Sequence, residues 1–195
     1  MATPLRELDG HPQTPATLAE STLILVDYQN TYTQGVMELE GWSEALDAAE
    51  GLLTRARREG AKVIHVQHDG GEGSPYDIRA DIGRIHPRVA PIEGEPVVVK
   101  SAPNGFVGTD LGDRVDAAGN QDVIVVGFMT HMCVTFTSEG AFLRGNRVTV
   151  VADACATRAL PSAAGEVSAA DLHRGALATI GDVYAQVVRN ADALR

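Results

Sequence analysis

The chain is poor in cysteine, in basic residues and in long apolar runs, and each shortage excludes a class of protein. Cys133 and Cys155 are the only cysteines among 195 residues. Two thiols in a chain of this size make no disulfide framework, and a reducing compartment would keep both free. Lys and Arg number 16 against 26 Asp and Glu, for a formal net charge of −10. Nucleic acids and anionic membrane surfaces are bound largely through Lys and Arg, so neither is expected as a partner. No apolar stretch approaches the ~20 residues that span a bilayer. The first twenty residues, MATPLRELDGHPQTPATLAE, hold three prolines and lack the apolar segment of a signal peptide. They read as a loose N-terminal arm (1–20) ahead of one domain (21–195), and the protein reads as cytoplasmic.

Metal and phosphate motifs are also missing. No His-Glu-x-x-His or Cys-x-x-Cys spacing occurs. His65 and His68 differ in parity along one strand, so they point to opposite faces and cannot chelate together. GGEGSP at 70–75 is glycine-rich without the spacing of a phosphate cradle. Neither a metal nor a cofactor is expected.

What is present is an alternation. STLILVDY, KVIHVQH, PVVVK, DVIVVGF, RVTVVAD and YAQVVR are short and rich in Val and Ile, as buried parallel strands are. Helix-like stretches separate most of them. In SEALDAAEGLLTRARREG, Leu46, Ala49, Leu52, Leu53 and Ala56 share one face, with Ser43 as N-cap and Gly60 as the stop. Further helices are expected from near Thr109, Met132 and Ser168. The pattern predicts a three-layer α/β/α, Rossmann-like fold around a mostly parallel six-stranded sheet. One connection breaks the rhythm: the 27 residues 69–95 show no periodicity, and loops of such length tend to be lids, binding loops or contact surfaces.

Open parallel sheets bind ligands at the carboxyl ends of their strands. The first strand ends in Asp27, the third in Lys100, and the fourth leads through GFMTHM to Cys133. Taken singly, Asp27 reads as a turn residue, Lys100 as a solvated strand end and Cys133 as a small core residue. Together they put an acid, a base and a thiol on one sheet edge. A thiol in the first turn of a helix is expected to have a lowered pKa. A carboxylate can take its proton and return it to a leaving amine, with a lysine holding that carboxylate ionised. Backbone N–H groups at the helix start can bind an oxyanion. This chemistry is acyl transfer through a thioester, followed by hydrolysis. Cys155, after RVTVVAD, reads as a structural residue past the end of the fifth strand.

These residues resemble the isochorismatase-like cysteine hydrolases, a group that includes nicotinamidases and N-carbamoylsarcosine amidases. The resemblance covers about residues 21–195. It rests on LILVDYQNTY, IHPRVAPIEGEPVVVKSAPNGF, VVGFMTHMCVTFTSEGA, RVTVVADACAT and LHRGALATIGDVYAQVV. The decisive run is Gly-x-x-Thr-x-x-Cys-Val-x-x-Thr over Gly127, Thr130, Cys133, Val134 and Thr137. The resemblance implies a triad of Asp27 as proton acceptor, Lys100 as electrostatic partner and Cys133 as nucleophile. It also implies a cis Phe128–Met129 peptide and an oxyanion hole made by the N–H groups of Met129 and Cys133. Tyr32, Phe106, Phe128 and His131 are the candidate substrate-binding residues. Nicotinamidases build a metal site on an Asp-x-His element after the second strand, and HVQHDGGEG holds no such element here. The function expected is cleavage of an amide, lactam or urea-type C–N bond of a small molecule by a homo-oligomer, a dimer or larger. A vinyl-ether hydrolase and a catalytically silent interaction protein of the same fold stay open as alternatives.

Overall fold

The computed structural model describes residues 2–195. After a short helix α1 (Leu5–Leu8), the chain enters strand β1 (Ser21–Val26) and helix α2 (Trp42–Glu59). There follow β2 (Lys62–His68), β3 (Val97–Lys100), α3 (Leu111–Ala118) and β4 (Asp122–Phe128). A wide π turn at Thr130–Val134 runs into α4 (Thr135–Leu143) and then β5 (Arg147–Ala156). The small strands β6 (Leu160–Ser162) and β7 (Gly165–Val167) precede α5 (Ala169–Thr179) and β8 (Ala185–Val188).

Six strands form one sheet in the order β3-β2-β1-β4-β5-β8, every neighbour parallel. Helices flank it in three layers, as the alternation predicts. β6 and β7 make a separate antiparallel hairpin that the sequence pattern does not announce. The order reverses between β1 and β4, and open parallel sheets bind ligands at the carboxyl ends beside such a switch point. Gly127 lets β4 close on β1 there. Its φ is +146°, and a Cβ would lie 2.0 Å from the carbonyl oxygen of Val26.

The α2 face buries Leu46, Ala49, Leu52, Leu53 and Ala56, together with Ala45. Gly60 stops it in the left-handed conformation (φ 79°). Its start differs from expectation. Trp42 is already helical and Gly41 (φ 70°) occupies the cap, so Ser43 lies inside the first turn. Ser168 does cap α5, accepting from the Asp171 N–H at 3.1 Å.

Two further expectations need correction. The N-terminal arm is docked rather than loose. Arg6 is buried, its guanidinium donating to Gln186 Oε1 (2.6 Å), Gln13 Oε1 (2.9 Å) and the Pro12 carbonyl (2.7 Å). Leu18 N–H donates to the Arg195 carbonyl (2.8 Å) and Arg195 N–H to the Ala16 carbonyl (3.1 Å), tying both ends of the chain together. Prolines restrict φ without preventing such docking. Cys155 lies within β5 rather than past its end, paired in register with Gly127, and its thiol donates to the Val151 carbonyl at 3.4 Å. No helix of the described residues is long and apolar enough to cross a membrane.

Candidate active site

Four strand ends supply the site. Asp27 follows β1 with φ +53°, a left-handed turn that ends the strand and directs the chain into the Asn30–Thr33 turn. Cys133 lies in the π turn between β4 and α4. Lys100 closes β3, and His68, its register partner, closes β2. β3 stands two strands away from β1, about 10 Å at ordinary strand spacing. The four-carbon stem of a lysine covers most of that distance.

The ammonium sits at the centre. Lys100 Nζ lies 2.7 Å from Asp27 Oδ2, and both side chains are fully buried. It donates to Cys133 Sγ at 3.3 Å and to His68 Nδ1 at 3.2 Å. The contact with Asp27 is close but oblique, so neither carboxylate oxygen has a well-directed hydrogen bond among the described residues. Burial raises the Asp27 pKa above the ordinary carboxylate value, and Lys100 opposes that rise. Burial, then the Asp27 carboxylate, push the Cys133 thiol up to about 12, again against Lys100. The expectation of a depressed thiol pKa is therefore wrong. Cys133 is only 6% exposed, and the loss of solvation outweighs the helix start and the ammonium. Its resting form is the thiol.

An edge-to-face chain of rings adjoins these groups. Tyr28 meets Phe128 (4.7 Å between centroids), Phe128 meets Tyr32 (5.7 Å), Tyr32 meets Tyr76 (5.7 Å) and Tyr76 meets His68 (5.0 Å). Tyr32 is buried, and burial followed by the nearby Asp27 and Cys133 keeps its hydroxyl neutral. His131 is half-buried, its Nδ1 2.5 Å from Thr157 Oγ1. Phe106 packs elsewhere along α4, under the Arg144 guanidinium (5.5 Å) and against Gly140. The Phe128–Met129 peptide is cis. Met129 stands between the end of β4 and the start of the π turn, its carbonyl accepting from the N–H groups of Met132 (3.0 Å) and Val134 (3.3 Å).

Sequence reasoning weighed His68 only as a metal ligand and did not single out Tyr76. Parity separates His68 from His65, but only the β2–β3 register sets His68 beside Lys100. Tyr76 belongs to the aperiodic connection, which folds around buried Asp77. That carboxylate accepts from the N–H groups of Gly73 (2.8 Å) and Arg79 (3.0 Å). As for a metal, no group of three or more His, Cys, Asp or Glu among the described residues is arranged to hold one. His65 Nε2 is 2.9 Å from Glu95, and His68 faces Lys100, so the donor set does not fit a metal centre.

An isochorismatase domain model matches residues 21–192. The chain belongs to the isochorismatase family of hydrolases. An isochorismatase from Pseudomonas putida KT2440 shares the fold over 100% of both chains, with a TM-score of 0.96 and 37% identity. A secreted isochorismatase effector of Verticillium dahliae is 31% identical over 96% of this chain and 97% of its own. An N-carbamoylsarcosine amidase from Thermoplasma acidophilum superposes with a TM-score of 0.72 at 26% identity, over 87% of this chain and 96% of that one.

Proposed function

We propose that this isochorismatase-family hydrolase cleaves a C–N bond of a small amide, lactam or urea-type molecule through a thioester on Cys133. The observation that carries the reading is one buried ammonium lying against both a carboxylate and a thiol. A thiol with a pKa near 12 is a poor nucleophile at neutral pH unless its proton leaves as it attacks. Asp27 is the base at hand, and Lys100 keeps it ionised beforehand.

Cys133 Sγ bonds to the substrate carbonyl carbon while its proton passes to Asp27. The carbonyl π electrons move to oxygen, which the N–H groups of Met129 and Cys133 stabilise. The C–N bond then breaks, and Asp27 delivers the proton to the departing nitrogen. Water attacks the thioester, giving a proton to Asp27. The C–S bond breaks, the acid leaves, and the proton returns to sulfur. Tyr32, Phe128 and His131 line the substrate space in this reading, and Phe106, packed against α4, is left out of it. The amidase among the structural relatives supports C–N cleavage over vinyl-ether cleavage. We place the reaction in the cytoplasm, where both thiols stay reduced, and in a homo-oligomer, which light scattering at working concentration tests.

A turnover screen of primary amides, ureas and lactams, scored by ammonia or amine release, finds the substrate. Intact-mass analysis of acid-quenched turnover should then show one acyl adduct on Cys133, absent from Cys133→Ala. Turnover by Cys133→Ala would sink the thioester.

A further inference from the structure

We propose that His68 is a positioning residue that holds the Lys100 ammonium in its ion pair with Asp27 and its contact with Cys133, by accepting a hydrogen bond from the remaining N–H. The proposal rests on the reading of Lys100 as the ammonium of a cysteine hydrolase. An ammonium has three N–H donors and no acceptor, so a fully buried one requires three acceptors. Asp27 Oδ2 at 2.7 Å and Cys133 Sγ at 3.3 Å engage two directions. His68 Nδ1 at 3.2 Å is the third. Lysine is also a flexible residue reaching across from an edge strand, and without that acceptor its head would have a buried unsatisfied donor and rotamer freedom.

His68 is itself immobilised. Its N–H donates to Gln29 Oε1 and its carbonyl accepts from Gln29 Nε2, each at 2.9 Å. Gln29 is fully buried and also donates to the Gly83 carbonyl at 2.6 Å, clamping the loop to the strand end. The ring of Tyr76 packs edge-to-face with the imidazole, 5.0 Å between centroids. Because the ammonium can only donate, Nδ1 must present a lone pair, and the proton of the neutral ring sits on Nε2. Lys100 from β3, Asp27 after β1 and the adjacent Asp69 are the charged groups that act on it. Burial first, then Lys100, lower its pKa against the pull of the two carboxylates, which favours this neutral form.

Two substitutions separate an acceptor role from a packing role. His68→Leu keeps bulk against Tyr76 but removes the acceptor. His68→Asn loses bulk but places a carbonyl oxygen near the Nδ1 position. Both are compared with the wild type for kcat, for KM with the best amide of the screen, and for the iodoacetamide labelling rate of Cys133 at pH 9. Loss of a charge-assisted hydrogen bond predicts a kcat about 10- to 100-fold lower in His68→Leu. KM should stay within about threefold, and labelling should slow about tenfold. His68→Asn should recover most of both rates. Wild-type kcat and labelling in His68→Leu would overturn the proposal, as would His68→Asn being equally or more impaired. If His68→Leu does not fold by circular dichroism, His68→Ala takes its place. Labelling needs no substrate, so an absence of amide turnover with the labelling order intact would refute the amidase reading alone.

Discussion

Replacing Lys100 by Ala removes the one cation that contacts Asp27 among the described residues, and the consequences depend on pH in a defined direction. At 2.7 Å and an effective dielectric of ~20, the pair attracts by about 6 kcal/mol. Removing the lysine also removes the cost of burying it, so the expected net loss of stability is about 3–5 kcal/mol while Asp27 stays charged. For a domain of this size that is a fall in Tm of roughly 6–20 °C. Burial already raises the Asp27 pKa and Lys100 opposes it, so the variant carboxyl rises further and takes up a proton more readily. A folded-state carboxyl raised above its unfolded value binds more protons folded than unfolded. Stability therefore falls as pH rises through that window and recovers as pH drops. The window reaches to higher pH in the variant than in the wild type, so the gap between them must widen from pH 5 to pH 8. Each pH unit over which only the variant titrates changes the gap by at most about 1.4 kcal/mol. Urea denaturation at pH 5, 6.5 and 8 measures it. Turnover at pH 7 should drop about 1,000-fold, because a protonated Asp27 cannot accept the thiol proton. Lys100→Arg should restore little, since a planar fork cannot meet three acceptors placed around a point charge. A gap constant across the three pH values would show that Asp27 is not the charged partner of Lys100.

Three other outcomes are expected. Iodoacetamide labelling of Cys133 should climb with pH and show no plateau below pH 9, given a thiol pushed up to about 12, and a plateau near pH 7 or 8 would refute that environment. Gly127→Ala should cost at least ~3 kcal/mol or prevent soluble expression, because the new methyl would sit 2.0 Å from the Val26 carbonyl oxygen. A Tm within 3 °C of wild type, roughly 1 kcal/mol, would mean that β4 can move away from β1. Dialysis against a strong chelator should leave turnover unchanged, because His65 is held by Glu95 and His68 by Lys100. Loss of activity restored by a divalent ion would contradict this.

The sequence by itself determined the six strands of the parallel sheet and the order in which Asp27, Lys100 and Cys133 are delivered. These follow from local facts: Val- and Ile-rich runs must be buried, α2 has an apolar face at helical spacing, and parallel strands carry their ligands at one edge. Helix starts were less legible, since Gly41 rather than Ser43 occupies the cap of α2 and a π turn precedes α4. Tertiary structure alone decided the rest. The docking of residues 2–20 depends on Gln186 and Arg195, nearly the whole chain away. The partnership of His68 with Lys100 is set by the register of two strands with 28 residues (69–96) between them, and no local pattern encodes a register. The protonation state of Cys133 was decided in the same way. A helix start and a lysine can be read from the sequence and argue for a thiolate. The closure of solvent around the thiol, and the approach of a carboxylate from another strand, exist only once the chain is folded. They outweigh both, because taking a charge out of water costs more than one neighbouring cation, already paired with Asp27, returns.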